Sequence, residues 1–142
     1  VYPDSQVAEA LKQAAVSEPG DLARYFALVS YGDVIQELAP GDAEQKAFFR
    51  SRLEREQAAV CRLGCEYALY QLGEPGALER ILEYLDDPDY LVRCRAVCTL
   101  AEIADEENRG RIFEAVRGRR EKEKAAPVRE RMDELLGREA TL

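Results

Sequence analysis

The apolar positions of this chain recur at spacings of three and four residues, which predicts amphipathic helices along its whole length. No alternating apolar runs are joined by a hairpin dipeptide, and no segment is rich in β-branched residues, so strands are not expected. Divided at its proline and glycine pairs, the pattern predicts seven helices. They cover about 4–16, 21–39, 42–72, 75–86, 88–104, 106–117 and 126–136.

Local signals set several of these helix ends. Asp42 can cap the third helix, because its carboxylate can accept a hydrogen bond from a free amide of the first turn. Asp87 can cap the fifth helix with Pro88 as its first residue, and Pro75 fits the first turn of the fourth. The third helix is long for a globular protein, and we expect a break near Arg52–Glu56.

A stretch near the middle of the chain is repeated at an offset of 31 positions. Cys61-Arg62 corresponds to Val92-Arg93, and a partial third copy begins 36 positions further on at Val128-Arg129. The apolar residues after each pair keep their spacing: Cys65, Leu69 and Leu72, then Ala96, Leu100 and Ile103, then Met132 and Leu136. Such a period is typical of one helical hairpin stacked on copies of itself.

Two stretches carry a family likeness: Asp86 to Arg93 with Ala96-Val97, Leu100 and Ile103, and, before them, Ala68 to Ala77. They resemble the HEAT-like repeats of bilin lyase-type proteins, over about residues 57–137. The resemblance implies an all-α fold, a right-handed α-α superhelix of stacked hairpins. It implies one helical-repeat domain over residues 1–142, in which residues 1–56 are divergent helices or a cap.

The same resemblance implies an interrepeat pair between an aspartate in the turn and a basic residue one helical turn later. Asp89 and Arg93 fit this pattern. The positions that match Asp89 one repeat earlier and one repeat later are Ala58 and Ala125, so a continuous ladder of such pairs is not expected.

Composition narrows the possible chemistry. The chain has 142 residues, four cysteines and no histidine, which excludes histidine-based triads, histidine metal sites and imidazole pH switches. No apolar stretch approaches the roughly 20 residues that span a bilayer, so no membrane association is expected. The chain begins at Val1, which is what a processed or trimmed piece would show.

The cysteines occur inside helical patterns, which favours reduced thiols and a cytoplasmic location. They form two i, i+4 pairs, Cys61 with Cys65 and Cys94 with Cys98. Four thiols from adjacent repeats could hold zinc or an iron–sulfur cluster. The better interpretation is that they are small buried residues on different helical faces, and we expect no metal or other cofactor.

The net charge of −8 is unevenly distributed. Residues 1–108 carry 10 Lys and Arg against 21 Asp and Glu, whereas residues 109–131 carry 9 against 4. Gly118 and residues 119–124 are expected to form a charged connection between the last two helices. The basic patch consists of Arg109, Arg111, Arg119, Arg120, Lys122 and Lys124. It could bind nucleic acid or an acidic protein, although the interleaved glutamates favour a solvated surface, and nucleic acid is the less favoured partner.

No nucleophile elbow, phosphate-binding loop or dinucleotide fingerprint is present, and we do not expect an enzyme. The preferred function is protein–protein recognition on a concave face, as a scaffold or adaptor. The acidic body predicts a partner with a basic patch. Candidate contacts are Glu79, Glu83, Tyr84, Glu114 and Arg117. The alternatives are an immunity or inhibitor protein against a basic toxin, a bilin lyase-like accessory, and nucleic-acid binding through residues 109–131. The sequence identifies neither the partner nor the oligomeric state.

Overall fold

A computed structural model describes residues 5–139, and within this range every regular element is helical. The α-helices are α1 (Ser5–Ser17), α2 (Asp21–Leu38), α3 (Ala43–Arg55), α4 (Ala59–Gln71), α5 (Ala77–Glu83), α6 (Tyr90–Ile103), α7 (Arg109–Arg120) and α8 (Ala126–Gly137). A 3₁₀ turn over Tyr84–Asp86 follows α5. The predicted all-α fold is therefore confirmed for the described residues. The start predicted for the first helix, position 4, lies outside them.

Eight helices replace the seven predicted because the long third helix is divided. The break was expected near Arg52–Glu56, and α3 ends at Arg55 while α4 begins at Ala59. Glu56 and Ala58 both have extended backbone conformations, with ψ angles of 125° and 127°. The expected cap of α3 is confirmed, since the Asp42 carboxylate accepts a hydrogen bond from the Gln45 amide at 3.1 Å.

Several predicted boundaries were wrong, among them the start of the sixth helix, which was expected at 106 and lies at Arg109. Pro75 precedes α5 instead of lying in its first turn, because Gly76 takes a positive φ of 82° that interrupts the helical path. The cap of α6 is Asp89, whose carboxylate accepts from the Leu91 amide at 2.9 Å, whereas Asp87 accepts from the Asp89 amide. Helix α7 continues through Gly118 to Arg120, so the charged connection is shorter than expected.

The chain forms two compact units, the first ending at Leu78 and the second beginning at Glu79. In the first unit, α2 packs against α1 and α4, and α3 packs against α4. Fully buried side chains at this centre include Leu28, Phe49 and Leu69. Helices α2 and α4 approach closely at Gly32, where a Cβ atom would lie only 2.8 Å from the Ala68 Cβ.

In the second unit, α6 packs against α8 and against the 3₁₀ turn, and α7 packs against α8. The apolar stripe predicted for α6 is confirmed, since its members are at most 7% exposed: Val92, Ala96, Val97, Leu100 and Ile103. Thr99 is not part of this stripe but is also buried. It is accommodated because its hydroxyl donates to the Arg95 carbonyl oxygen at 2.9 Å.

None of the helices described over residues 5–139 is both long and apolar enough to cross a membrane. The superhelix of stacked hairpins and the single repeat domain over residues 1–142 stay predictions.

Candidate functional site

A groove between α5 and α7 brings together residues from both sets that the sequence analysis selected. It encloses about 290 Å³. The lining includes Glu79 and Glu83 from the predicted partner-binding set and Arg111, Arg119 and Lys122 from the basic patch. Both helices turn their apolar stripes inward, since Ile81 on α5 and Ile112 on α7 are fully buried. Their charged side chains are consequently left to line the groove.

The charges across this groove compensate each other. The Arg111 guanidinium donates two hydrogen bonds to the Glu79 carboxylate, at 3.0 and 2.9 Å, and these bonds raise the pKa of Arg111. Arg119 donates to the Leu85 carbonyl oxygen at 2.9 Å, and its Nε lies 3.0 Å from an Asp86 carboxylate oxygen. With Glu83 and Lys122 the lining carries three acids and three bases. The groove is therefore a surface of mixed charge rather than an acidic one.

The other predicted contact residues differ in their surroundings. Glu114 on α7 is exposed, and Tyr84 is half-buried in the 3₁₀ turn. Arg117 forms an ion pair with Glu139. Glu83 and Glu114 are therefore the exposed carboxylates of the predicted contact set for which the structure records no ion pair within residues 5–139.

The remaining members of the basic patch are Arg120, Arg109 and Lys124, of which Arg120 forms an ion pair. Arg120 donates to Asp133 at 2.7 and 3.1 Å, and these bonds lower the pKa of Asp133. Arg109 is half-buried at the start of α7, and Lys124 is exposed. Since carboxylates neutralise most of these arginines, the positive field expected from the sequence of this segment is weakened.

The predicted interrepeat pair has different partners in the structure. Asp89 caps α6, whereas Arg93 donates two hydrogen bonds to the Glu123 carboxylate, at 2.8 and 2.9 Å. The same guanidinium donates to the Asp87 carbonyl oxygen at 2.8 Å. Arg93 therefore connects the turn before α6 to the turn before α8. The Asp89 side chain instead caps its own helix. The Glu123 side chain is fully buried.

The first unit contains the same arrangement, which we call the arginine clamp. Arg24 on α2 donates to the Glu56 carboxylate at 2.8 Å through both Nε and Nη2, and to the Glu18 carbonyl oxygen at 3.0 Å. Burial acts to raise the pKa of Glu56, but the hydrogen bonds from Arg24 and Arg52 outweigh it, and the pKa lies below its usual value. A second arginine approaches each clamped carboxylate, Arg52 in the first unit and Arg119 in the second.

The sequence analysis missed this clamp, and residue spacing alone does not single it out. An acidic residue precedes an arginine by six positions nine times in the chain. Among these arginines, Arg24, Arg93 and Arg129 donate to the backbone carbonyl oxygens of Glu18, Asp87 and Glu123.

The four cysteines belong to two different units. Cys61 and Cys65 are buried in the first unit, and Cys94 and Cys98 are half-buried in the second. Burial raises the pKa of Cys61 to about 11, and its thiol donates to the Asp21 carbonyl oxygen at 3.1 Å. Within the part of the chain that the structure describes, no three cysteine or acidic residues are grouped so that they could hold a metal ion.

Comparisons of the chain with protein-family models, with curated proteins and with solved structures gave no match. The class that the structure defines is an all-α fold of eight helices over residues 5–139.

Proposed function

We propose that this protein is a non-catalytic, HEAT-like protein–protein interaction module, and that the groove between α5 and α7 is its docking surface. The observation that carries the proposal is the division of roles along these two helices. Their apolar residues are buried in the core, whereas the outer faces of both helices carry charged side chains. A surface of this kind favours a structured partner with matching charges.

The geometry refines the chemistry of the partner. Glu79 is compensated by Arg111, so it adds little to an acidic surface. A basic patch on the partner would meet Glu83 in the groove lining and the exposed Glu114, which lies outside the lining but whose charge acts on Arg111. Lys122 at the end of the groove would meet an acidic residue of the partner. The proposed partner therefore carries a basic patch with an acidic residue beside it.

The first experiment identifies the partner by position. A photoreactive amino acid replaces Glu83, and, in a matched protein, it replaces exposed Glu54 on α3. Both proteins are irradiated in lysate of the source cells. The expected result is a cross-linked product that forms from the groove position and not from the control position.

The second experiment measures binding to the purified partner. Glu83→Lys combined with Glu114→Lys should weaken binding by about tenfold or more, since like charges would then face each other. The control, Glu54→Lys with Glu130→Lys, makes the same change in net charge at exposed positions outside the groove and should leave the affinity within about twofold. Equal losses for the two double variants would contradict the proposed docking surface.

A further inference from the structure

Two paired helices of the first unit approach each other closely at two glycines, Gly32 and Gly64. Aligning the chain on its two arginine clamps pairs Arg24 with Arg93 and Glu56 with Glu123, and so pairs α2 with α6 and α4 with α8. In the α2–α4 seam, Gly32 contacts Ala68 and a Cβ atom on Gly64 would lie 3.2 Å from the ring of Tyr25.

Hydrogen bonds also connect α2 and α4 in the first unit. The Tyr67 hydroxyl donates to the Asp33 carboxylate at 2.5 Å, and the Gln71 side-chain amide donates to the Tyr67 oxygen at 3.0 Å. Small residues and a polar cluster therefore hold α2 and α4 in close contact along this part of the seam.

In the corresponding seam of the second unit, Arg138 donates to the Ala101 carbonyl oxygen at 3.4 Å, and space remains beside this contact. A cavity of about 490 Å³ lies between α6 and α8. In the second unit, the positions that correspond to Gly64, Tyr67 and Gln71 hold charged residues: Arg131, Glu134 and Arg138. Glu102 takes the position of Asp33, and Ala101 that of Gly32. The volume lies within the range of small-molecule sites in proteins.

The walls of this cavity divide into an apolar part and a charged part. The apolar part consists of Val97, Ala101, Ala104 and Leu135, with the Cys98 thiol beside them. Burial raises the pKa of Cys98, so this thiol is neutral near pH 7. The charged part consists of two arginines and two glutamates, of which Arg131 and Glu134 lie 3.4 Å apart and are both about half exposed.

We propose that this cavity binds a small zwitterionic ligand, between an amino acid and a tripeptide in size. Arg131 and Arg138 would hold its carboxylate, because a guanidinium offers two parallel donors to a carboxylate. Glu102 and Glu134 would hold its ammonium group, and the apolar wall would contact its carbon atoms. A ligand with a net charge of +1 or −1 is less suitable, because the charges of the two arginines and the two glutamates sum to zero. Although Cys98, Glu102 and Glu134 all line the cavity, no three acidic or cysteine residues within 5–139 are grouped so that they could hold a metal ion.

The test is a titration of the isotope-labelled full chain followed by amide NMR. The probe is trialanine, and the comparison probe is N-acetyl-trialanine amide, which contains the same three alanine residues but neither terminal charge. The expected result is saturable shifts at Cys98, Ala101 and Leu135 with trialanine alone, with a Kd in the millimolar range or below, about −4 kcal/mol or stronger. No saturation by about 10 mM trialanine, or equal shifts with the capped peptide, would overturn the proposal.

Two variants test the location. Ala101→Leu fills the cavity and should abolish the saturable shifts, whereas Ala126→Leu makes the same change at an exposed position of α8 and should preserve them. If Ala101→Leu does not fold, Arg131→Gln tests the location of the site. This side chain is half exposed, so its replacement leaves the core packing intact. Arg131→Gln should weaken binding by about tenfold. Unchanged binding in Arg131→Gln would refute the proposed site.

Discussion

Replacing Arg93 with methionine should lower the free energy of unfolding by about 3 kcal/mol, because it leaves a buried carboxylate without its main partner. The Glu123 side chain is 0% exposed and that of Arg93 is 12% exposed, so little water can replace the guanidinium. Methionine retains most of the apolar stem of arginine, which keeps the packing loss small. The measurement is urea unfolding followed by far-ultraviolet circular dichroism.

The exposed pair of Arg111 and Glu79 provides a matched control. It has the same two-bond geometry, at 3.0 and 2.9 Å, but its side chains are 46% and 58% exposed. Arg111→Met should therefore leave the unfolding midpoint unchanged within error. The double variant Arg93→Met/Glu123→Leu should recover most of the loss, because both charges are removed together. A loss below about 1 kcal/mol for Arg93→Met would refute the reasoning from burial.

The same clamp predicts an acid dependence of stability. The hydrogen bonds from Arg93 hold the pKa of Glu123 below its usual value of 4.5. A carboxyl group whose pKa is lower in the folded than in the unfolded state stabilises the protein above the unfolded pKa. This contribution is lost as the pH falls below about 4.5 and through the folded pKa. Glu123→Gln should thus be less stable than the parent at pH 7, and the difference should shrink from pH 4.5 downward.

Two further predictions concern local features. Asp89→Ala should lower the free energy of unfolding by about 1 kcal/mol through loss of the α6 cap, with exposed Glu121→Ala as the control that changes nothing measurable. In the native protein at pH 8, iodoacetamide should modify the half-buried Cys94 and Cys98 before the buried Cys61 and Cys65, as read by peptide mass spectrometry. Labelling of Cys61 at the rate of Cys94 would contradict its burial and its raised pKa of about 11.

The apolar period was sufficient to predict the helices but not all of their ends. The α6 stripe follows from residue spacing alone, because burial of one face repeats every 3.6 residues. The cap at Asp89 required a choice among Asp86, Asp87 and Asp89, and all three can accept a backbone hydrogen bond. The backbone conformation before α6 determines which of the three aspartates is the cap. The end of α7 was set too early because Gly118 was assigned to the charged connection, whereas it lies in the helix, where a Cβ atom would meet no other group within 4 Å.

The candidate site could be predicted only in part, because partners across a groove come from distant residues. Glu79 and Arg111 were selected for different reasons, one as an acidic contact and one as part of a basic patch. Sequence spacing does not reveal that they neutralise each other across two helices. The α6–α8 cavity could not be predicted from the sequence either, because it depends on which side chains lie between the two helices. The clamps could not be predicted either, because Arg24 and Glu56, and Arg93 and Glu123, are about 30 residues apart in sequence.

The glycines of α2 and α7 should respond oppositely to alanine. Gly118→Ala should stabilise the protein by up to about 1 kcal/mol, because alanine favours helix and a Cβ atom there meets no other group within 4 Å. Gly32→Ala gains the same propensity, but its Cβ atom would lie 2.8 Å from the Ala68 Cβ and 3.2 Å from the Ala68 Cα. Because Ala68 is fully buried on α4, the helices must separate, which costs about 1–3 kcal/mol. Gly32→Ala should thus be a net loss in urea unfolding. Equal stabilisation by both substitutions would mean that α2 and α4 do not approach each other at Gly32.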